Sequence, residues 1–212
     1  WEMTGATTGT GTGSAAGETY NVGVTTVTYT VTDPDGNFAT CEFTVTIVDV
    51  TPPSLSLTGC EDVVEDAAPN NCSKVPATIS DPTYSDACWP YEDLTLTWVM
   101  TGATEGTGSG FVSGETFNVG VTTVVYTVTD PDGNFETCSF TVTIVDVTPP
   151  NLTIGCDDVT EIAGPNDCYI IPATINEPVY SDDCWDVADL TLTWEMTGAT
   201  VGTGTGSVAS ET

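Results

Sequence analysis

The sequence predicts an all-β protein made of tandem sandwich domains, and three observations carry that prediction. The chain repeats: Trp1, Trp98 and Trp194 open the near-identical stretches WEMTGAT, WVMTGAT and WEMTGAT, a step of 97 and then 96 residues. Helical periodicity is absent, while Gly, Pro, Asp and Asn punctuate the chain at roughly eight-to-twelve-residue intervals, as in sandwiches and barrels. Between those marks apolar residues alternate with threonine, so that Val124, Tyr126 and Val128 take one face and Thr127 and Thr129 the other.

From Trp1 to Pro53 and from Trp98 to Pro150 about four positions in five are identical. Residues 1–19 recur as residues 194–212, so the chain reads as a window on a longer polymer. The expected units are 1–50, the C-terminal part of one repeat; 51–147, a complete repeat; and 148–212, the N-terminal part of a third. A unit of this length can bury a modest core of its own.

The elements of the complete unit follow from parity. In the third unit Leu152, Ile154 and Cys156 share one face of the first strand. The equivalent Leu55, Leu57 and Cys60 fall out of step by one residue, which predicts a bulge at Thr58-Gly59. On the next strand Val75, Ala77 and Ile79 are expected inward, leaving Cys72 on the outer parity near a loop, as Cys88 also is. The alternating LTLTW then delivers Trp98, expected to pack. The Gly9-Thr10-Gly11-Thr12-Gly13 run has neither the helix nor the lysine of a phosphate loop and reads as a hairpin or strand end. After the Thr122–Thr129 strand, Asp130-Pro131-Asp132-Gly133-Asn134 is a turn in which Gly133 supplies positive φ. The closing strand points Cys138, Phe140, Val142 and Ile144 inward and Ser139, Thr141 and Thr143 outward.

Composition limits the partners. With 31 acidic residues against one basic residue, Lys74, the net charge is -30, which repels nucleic acid and anionic membrane alike. No apolar run reaches the ~18 residues of a membrane helix, so no membrane insertion is expected.

The eight cysteines fall four to a period. Without a histidine or a C-x-x-C knuckle they fit disulfides better than zinc, which implies an oxidising, extracellular setting. Parity pairs Cys60 with Cys138 across the core, Cys72 with Cys88 and Cys168 with Cys184 at the periphery, leaving Cys41 and Cys156 unpaired within the window. The competing set joins Cys60 to Cys72 and Cys88 to Cys138.

The order TPP, cysteine, SDAC, FNVGVTTVVYTVTD, DGN and TCSFTVTIVD resembles the hyalin repeat, or HYR domain, over Val50 to Val147 and both flanking parts. The resemblance implies an immunoglobulin-like β-sandwich, arranged end to end, that acts as spacer and interaction module and brings no catalytic residues. In many members the cysteines matching Cys72 and Cys88 are lost together, which favours the first pairing. The four-cysteine, threonine-rich version is similar to repeats of giant surface adhesins of gliding Bacteroidetes, exported by the type IX secretion system.

Little in the sequence performs chemistry. Nucleophilic catalysis needs a proton acceptor near neutral pH, and there is no histidine. A Lys-Asn crosslink would need Lys74, which is Ile170 in the next unit. Calcium is the candidate ligand: in this topology the loop after the second strand, the DPDGN hairpin and the entering linker share a pole, collecting Asp49, Asp81, Asp86, Asp130, Asp132 and Asn134. The next junction offers Asp146, Asp182 and Asp183, with Asp146 and Asp183 as the candidate ligands. The plainer expectation is that DPDGN is a well-made turn and the other acids a solvated face. Trp89, Tyr91 and Trp185 are the candidates for holding a glycan or a surface protein, against a packing role.

The sequence therefore predicts a structural segment of a long extracellular filament or adhesin stalk, whose first partners are neighbouring repeats. The alternatives are repeats that themselves bind a ligand, or an accessory arm of a secreted enzyme.

Overall fold

The computed structural model describes residues 1–154, 156–173 and 175–206. The first unit contributes β1 (Glu2–Gly5), β2 (Gly9–Thr10), β3 (Gly23–Thr32) and β4 (Phe38–Ile47). The central unit holds β5 (Ser54–Leu55), β6 (Val63–Asp66), β7 (Ser73–Lys74), β8 (Tyr84–Ser85), β9 (Thr95–Gly102), β10 (Gly106–Ser109), β11 (Phe117–Asn118), β12 (Gly120–Thr129) and β13 (Phe135–Val145). The third adds β14 (Asn151–Ile154), β15 (Val179–Ser181), β16 (Thr193–Met196) and β17 (Gly202–Thr205).

The central unit is a two-layer sandwich of the immunoglobulin-like kind. One layer is a five-stranded sheet in the order β10-β9-β12-β13-β6, antiparallel except that β6 runs parallel to β13. The other is built from the short pairs β5-β8 and β11-β7. Thr129 lies opposite Phe135 in the β12-β13 register, so the turn between them is residues 130–134, and Gly133 takes a φ of 91°. No L residue adopts that conformation without strain.

Alternation fills the space between the layers. Val124, Tyr126 and Val128 of β12, Phe140, Val142 and Ile144 of β13, and Leu96, Trp98 and Met100 of β9 are buried against Val63, Ile79, Leu94, Val112 and Phe117. Removing one such side chain from water contributes about 1.5–3 kcal/mol before entropy is counted. The Tyr126 hydroxyl is itself partnered: it accepts from the Val112 amide at 2.9 Å. Its counterpart Tyr29 accepts from Ala15 at the same distance.

The first unit shows what the second layer covers. Its sheet, β2-β1-β3-β4, repeats the central unit's β10-β9-β12-β13. Yet Val31 is 71% exposed where Val128 is 0%, and Phe43 is 42% exposed where Phe140 is 3%.

Two local expectations fail for physical reasons. The extra residue near Thr58-Gly59 makes no bulge: Leu57–Gly59 is a turn of 3-10 helix, with the Thr58 amide donating to the Ser56 hydroxyl at 3.4 Å. A β-carbon on Gly59 would overlap the main chain of Pro82, so the turn is wedged tight against the neighbouring segment. The expected inward run of Val75, Ala77 and Ile79 is broken as well, because Pro76 and Ile79 are buried while Val75 and Ala77 face solvent. Pro76 cannot donate to a ladder, and β7 stops before it. In the third unit Leu152, expected in the core, is 49% exposed. The side chain of Ile154 lies outside the described residues.

Candidate functional site

The residues singled out in the sequence collect where one unit meets the next. At the pole of the central unit that receives the chain, the turn 130–134 grips the entering linker. The Asp49 amide donates to the Asp132 carboxylate at 2.9 Å, and the Asn134 side-chain amide donates to the Asp49 carbonyl at 3.0 Å. Asn134 donates equally to Asp130, from its backbone at 2.8 Å and from its side chain at 2.8 Å. Asp130 and Asp132 thus receive N–H donors, and Asn134 presents its side-chain nitrogen toward Asp130 and the Asp49 carbonyl.

Asp49 and Asp86 differ. Asp49 is 6% exposed; one oxygen accepts the Thr51 amide at 3.0 Å, while Oδ2 has no hydrogen-bond partner among the described residues. The Thr51 amide holds this carboxyl below the ordinary carboxylate value. Asp86 makes an Asx turn, accepting from the Cys88 amide at 2.7 Å and the Trp89 amide at 3.0 Å, and its Oδ2 is likewise buried without a partner. Ligand atoms of Asp49, Asp86 and Cys88 lie within 4.8 Å of one another. Burial first, and the nearby Asp49 charge next, push the Cys88 thiol up.

The exit pole repeats this group with Asp146 of the outgoing linker and two residues of the third unit. Asp146 accepts from the Thr148 amide at 2.9 Å, and Asp182 accepts from the Cys184 and Trp185 amides at 2.9 and 3.1 Å. Asp146, Asp182 and Cys184 cluster as their counterparts do. Asp182, and not the expected Asp183, occupies the place of Asp86, because Asp183 aligns with Ala87.

The central unit also supplies a docking loop at this exit pole. The Asn70 amide donates to the Thr148 hydroxyl of the outgoing linker at 2.8 Å. Asn70 adopts a φ of 62°, a tight turn that thrusts the following residues toward the next unit. Cys72, two residues on, is disulfide-bonded to Cys184, with the α-carbons 5.1 Å apart.

The cysteine pattern therefore differs from expectation at the periphery. Cys60 is bonded to Cys138, their α-carbons 6.2 Å apart. Cys72 is not joined to Cys88, nor Cys168 to Cys184; Cys41, Cys88, Cys156 and Cys168 carry free thiols. The reason lies in the path of the chain. Cys72 opens and Cys88 closes a segment that crosses the unit from the exit pole, beside Thr148, to the entry pole, beside Asp49. The cysteine that arrives beside Cys72 belongs to the next unit. A signal was present in the sequence, since strand-like residues between Cys72 and Cys88 already set them far apart.

The aromatic candidates divide. Trp89 packs against the core, whereas Tyr91 is 55% and Trp185 43% exposed, and Tyr91 stacks on Tyr84 with ring centroids 4.7 Å apart. No helix among the described residues is long and apolar enough to cross a membrane.

An immunoglobulin-like sandwich flanked by repeats of its own strands, with a turn gripping its entering linker, defines a tandem-repeat module protein. The HYR domain model matches residues 2–47 and 48–144, and the chain belongs to that family. It is 33% identical over 148 residues to hyalin of Lytechinus variegatus, covering 65% of this chain and 24% of that protein. It is 34% identical over 141 residues to hyalin of Strongylocentrotus purpuratus, covering 64% of this chain and 10% of that one. A sushi, von Willebrand factor type A, EGF and pentraxin domain-containing protein of Rattus norvegicus is 30% identical over 125 residues, 59% of this chain and 3% of the relative. The chain thus spans a quarter or less of the relatives it matches.

Proposed function

We propose that this chain is a segment of an extracellular filament or adhesin stalk, whose work is to hold a fixed reach between a cell surface and its surroundings. The observation that carries the reading is the pair of joints: the entering linker is held by Asp132 and Asn134, and the outgoing linker is held by Asn70 at a joint crossed by the Cys72–Cys184 bond. Joints constrained in this way resist bending, and force along the chain meets sandwich cores in series. Prolines at 52, 53, 149 and 150 stiffen the linkers further. Disulfides support an oxidising location. The absence of histidine and the acidic surface favour a non-enzymatic role. Electron microscopy or small-angle scattering of the chain tests the reading: an elongated particle lengthening by roughly 40 Å per unit is expected, and a compact body overturns it.

Calcium at the joints belongs to the same reading. Support comes from the buried, unpartnered Oδ2 atoms of Asp49 and Asp86, hard oxygen donors of the kind Ca²⁺ selects, in a group repeated at Asp146 and Asp182. Scanning calorimetry in EDTA and then in millimolar Ca²⁺ is expected to raise the melting temperature. An unchanged temperature removes the ion from the account.

A second reading, direct binding of a glycan or a surface protein, is favoured by the exposure of Tyr91 and Trp185. A glycan array on the intact chain separates it from a pure spacer, which leaves the array silent.

A further inference from the structure

The bond between Cys72 and Cys184 joins two different units, and each of its half-sites occurs a second time in the chain with a free thiol. Cys168 is the counterpart of Cys72. It follows a turn of the same form: the Asn71 amide donates to Ala68 at 3.0 Å and the Asp167 amide to Gly164 at 3.0 Å, with Asn70 at φ 62° and Asn166 at φ 75°. Cys88 is the counterpart of Cys184. Both follow an Asx turn, made by Asp86 and Asp182, and both stand beside a linker aspartate, Asp49 and Asp146. The donor loop at the exit pole and the acceptor loop at the entry pole are thus built alike in successive units.

Resting on the filament reading above, we propose that Cys168 and Cys88 are half-sites for the same inter-unit disulfide, so that every joint of a tandem array of these repeats carries one. Cys168 bonds the Cys184-type thiol of a following unit, and Cys88 the Cys72-type thiol of a preceding one. In each case two thiols lose two protons and two electrons to a disulfide oxidant such as oxidised glutathione, which leaves as two thiols, and one S–S bond forms.

The consequence is topological. Each bond closes a separation of 112 residues while the repeat advances by 96, so consecutive loops overlap by the 16 residues from Cys168 to Cys184. Every peptide bond of the array then lies inside at least one disulfide loop. A single cut anywhere leaves the filament connected. The shortest covalent route across a repeat falls six-fold, from 96 residues to 16, so even an unfolded unit barely lengthens.

The test uses the full chain and the same chain with residues 51–147 duplicated in tandem, both carrying Cys41→Ser and Cys156→Ser, oxidised with glutathione and isolated as monomers by gel filtration. Thiols are titrated in denaturant without reductant, and linked peptides are read by mass spectrometry. Two thiols per chain, Cys88 and Cys168, are expected in the shorter chain, with the Cys72 and Cys184 peptides joined. The longer chain is expected to give two again, because its additional joint consumes its additional pair. Zero thiols, with Cys72 joined to Cys88, overturns the proposal. So does a count of four in the longer chain, which confines the bond to one joint. Either failure can coexist with an elongated particle, so it is distinguishable from failure of the filament reading.

Discussion

Gly108 leaves no room for a side chain, because a β-carbon there would overlap the Trp98 indole, and Gly11 and Gly204 stand in the same relation to Trp1 and Trp194. The GTG runs therefore serve as indole covers on edge strands. Gly108→Ala is expected to destabilise the chain by about 1–3 kcal/mol through overpacking, measured by urea unfolding; Gly114→Ala, where the added carbon meets nothing, is the control. Glu65 accepts from the Ala77 and Thr78 amides and the Thr78 hydroxyl, and pairs with Lys74 at 2.8 Å. The Lys74 ammonium first, and the Thr78 hydroxyl next, lower its carboxyl from 4.5 to about 2. A depressed folded value means that this contribution is complete above the unfolded value and disappears as pH falls through about 2. Glu65→Gln is therefore expected to flatten the dependence of stability on pH below 4.5, followed by acid titration of the circular dichroism signal. An unaltered acid limb would mean that the carboxylate carries no linkage.

The long hairpin of β12 and β13 is legible in the sequence alone, down to its turn residues, because alternation and DPDGN both specify one register. The short pairs β5-β8 and β11-β7 are not. Two-residue strands have too few alternating positions to set a parity, and Pro76 and the turn at Leu57–Gly59 each shift the phase. The layer they form is held to the large sheet by Cys60–Cys138. Replacing both cysteines by serine is expected to cost about 2–5 kcal/mol, read from the urea midpoint. A loss below about half a kcal/mol, the ordinary surface-substitution range, would show that the short layer needs no covalent tie.

At the scale of the molecule, one basic residue among 212 leaves trypsin a single site, Lys74. Cutting there is expected to leave both pieces joined through Cys60–Cys138 and Cys72–Cys184 until reductant is added. A sharper version moves the site into the linker. A chain with Lys74→Ile, Val147→Lys, Cys41→Ser and Cys156→Ser has its single lysine at the joint, where Val147 is 44% exposed. After Lys-C digestion it is expected to run intact on a non-reducing gel and to separate only in reductant, whereas separation without reductant would place the peripheral bonds within units. The sequence by itself determined the repeat, the all-β class, the long hairpin and the acidic surface, because periodicity, alternation and charge are local properties that survive without knowledge of contacts. Only the tertiary structure decided which cysteines meet. The segment from Cys72 to Cys88 carries its two ends to opposite poles, and proximity at a pole is a property of neighbouring units that no parity within one strand encodes.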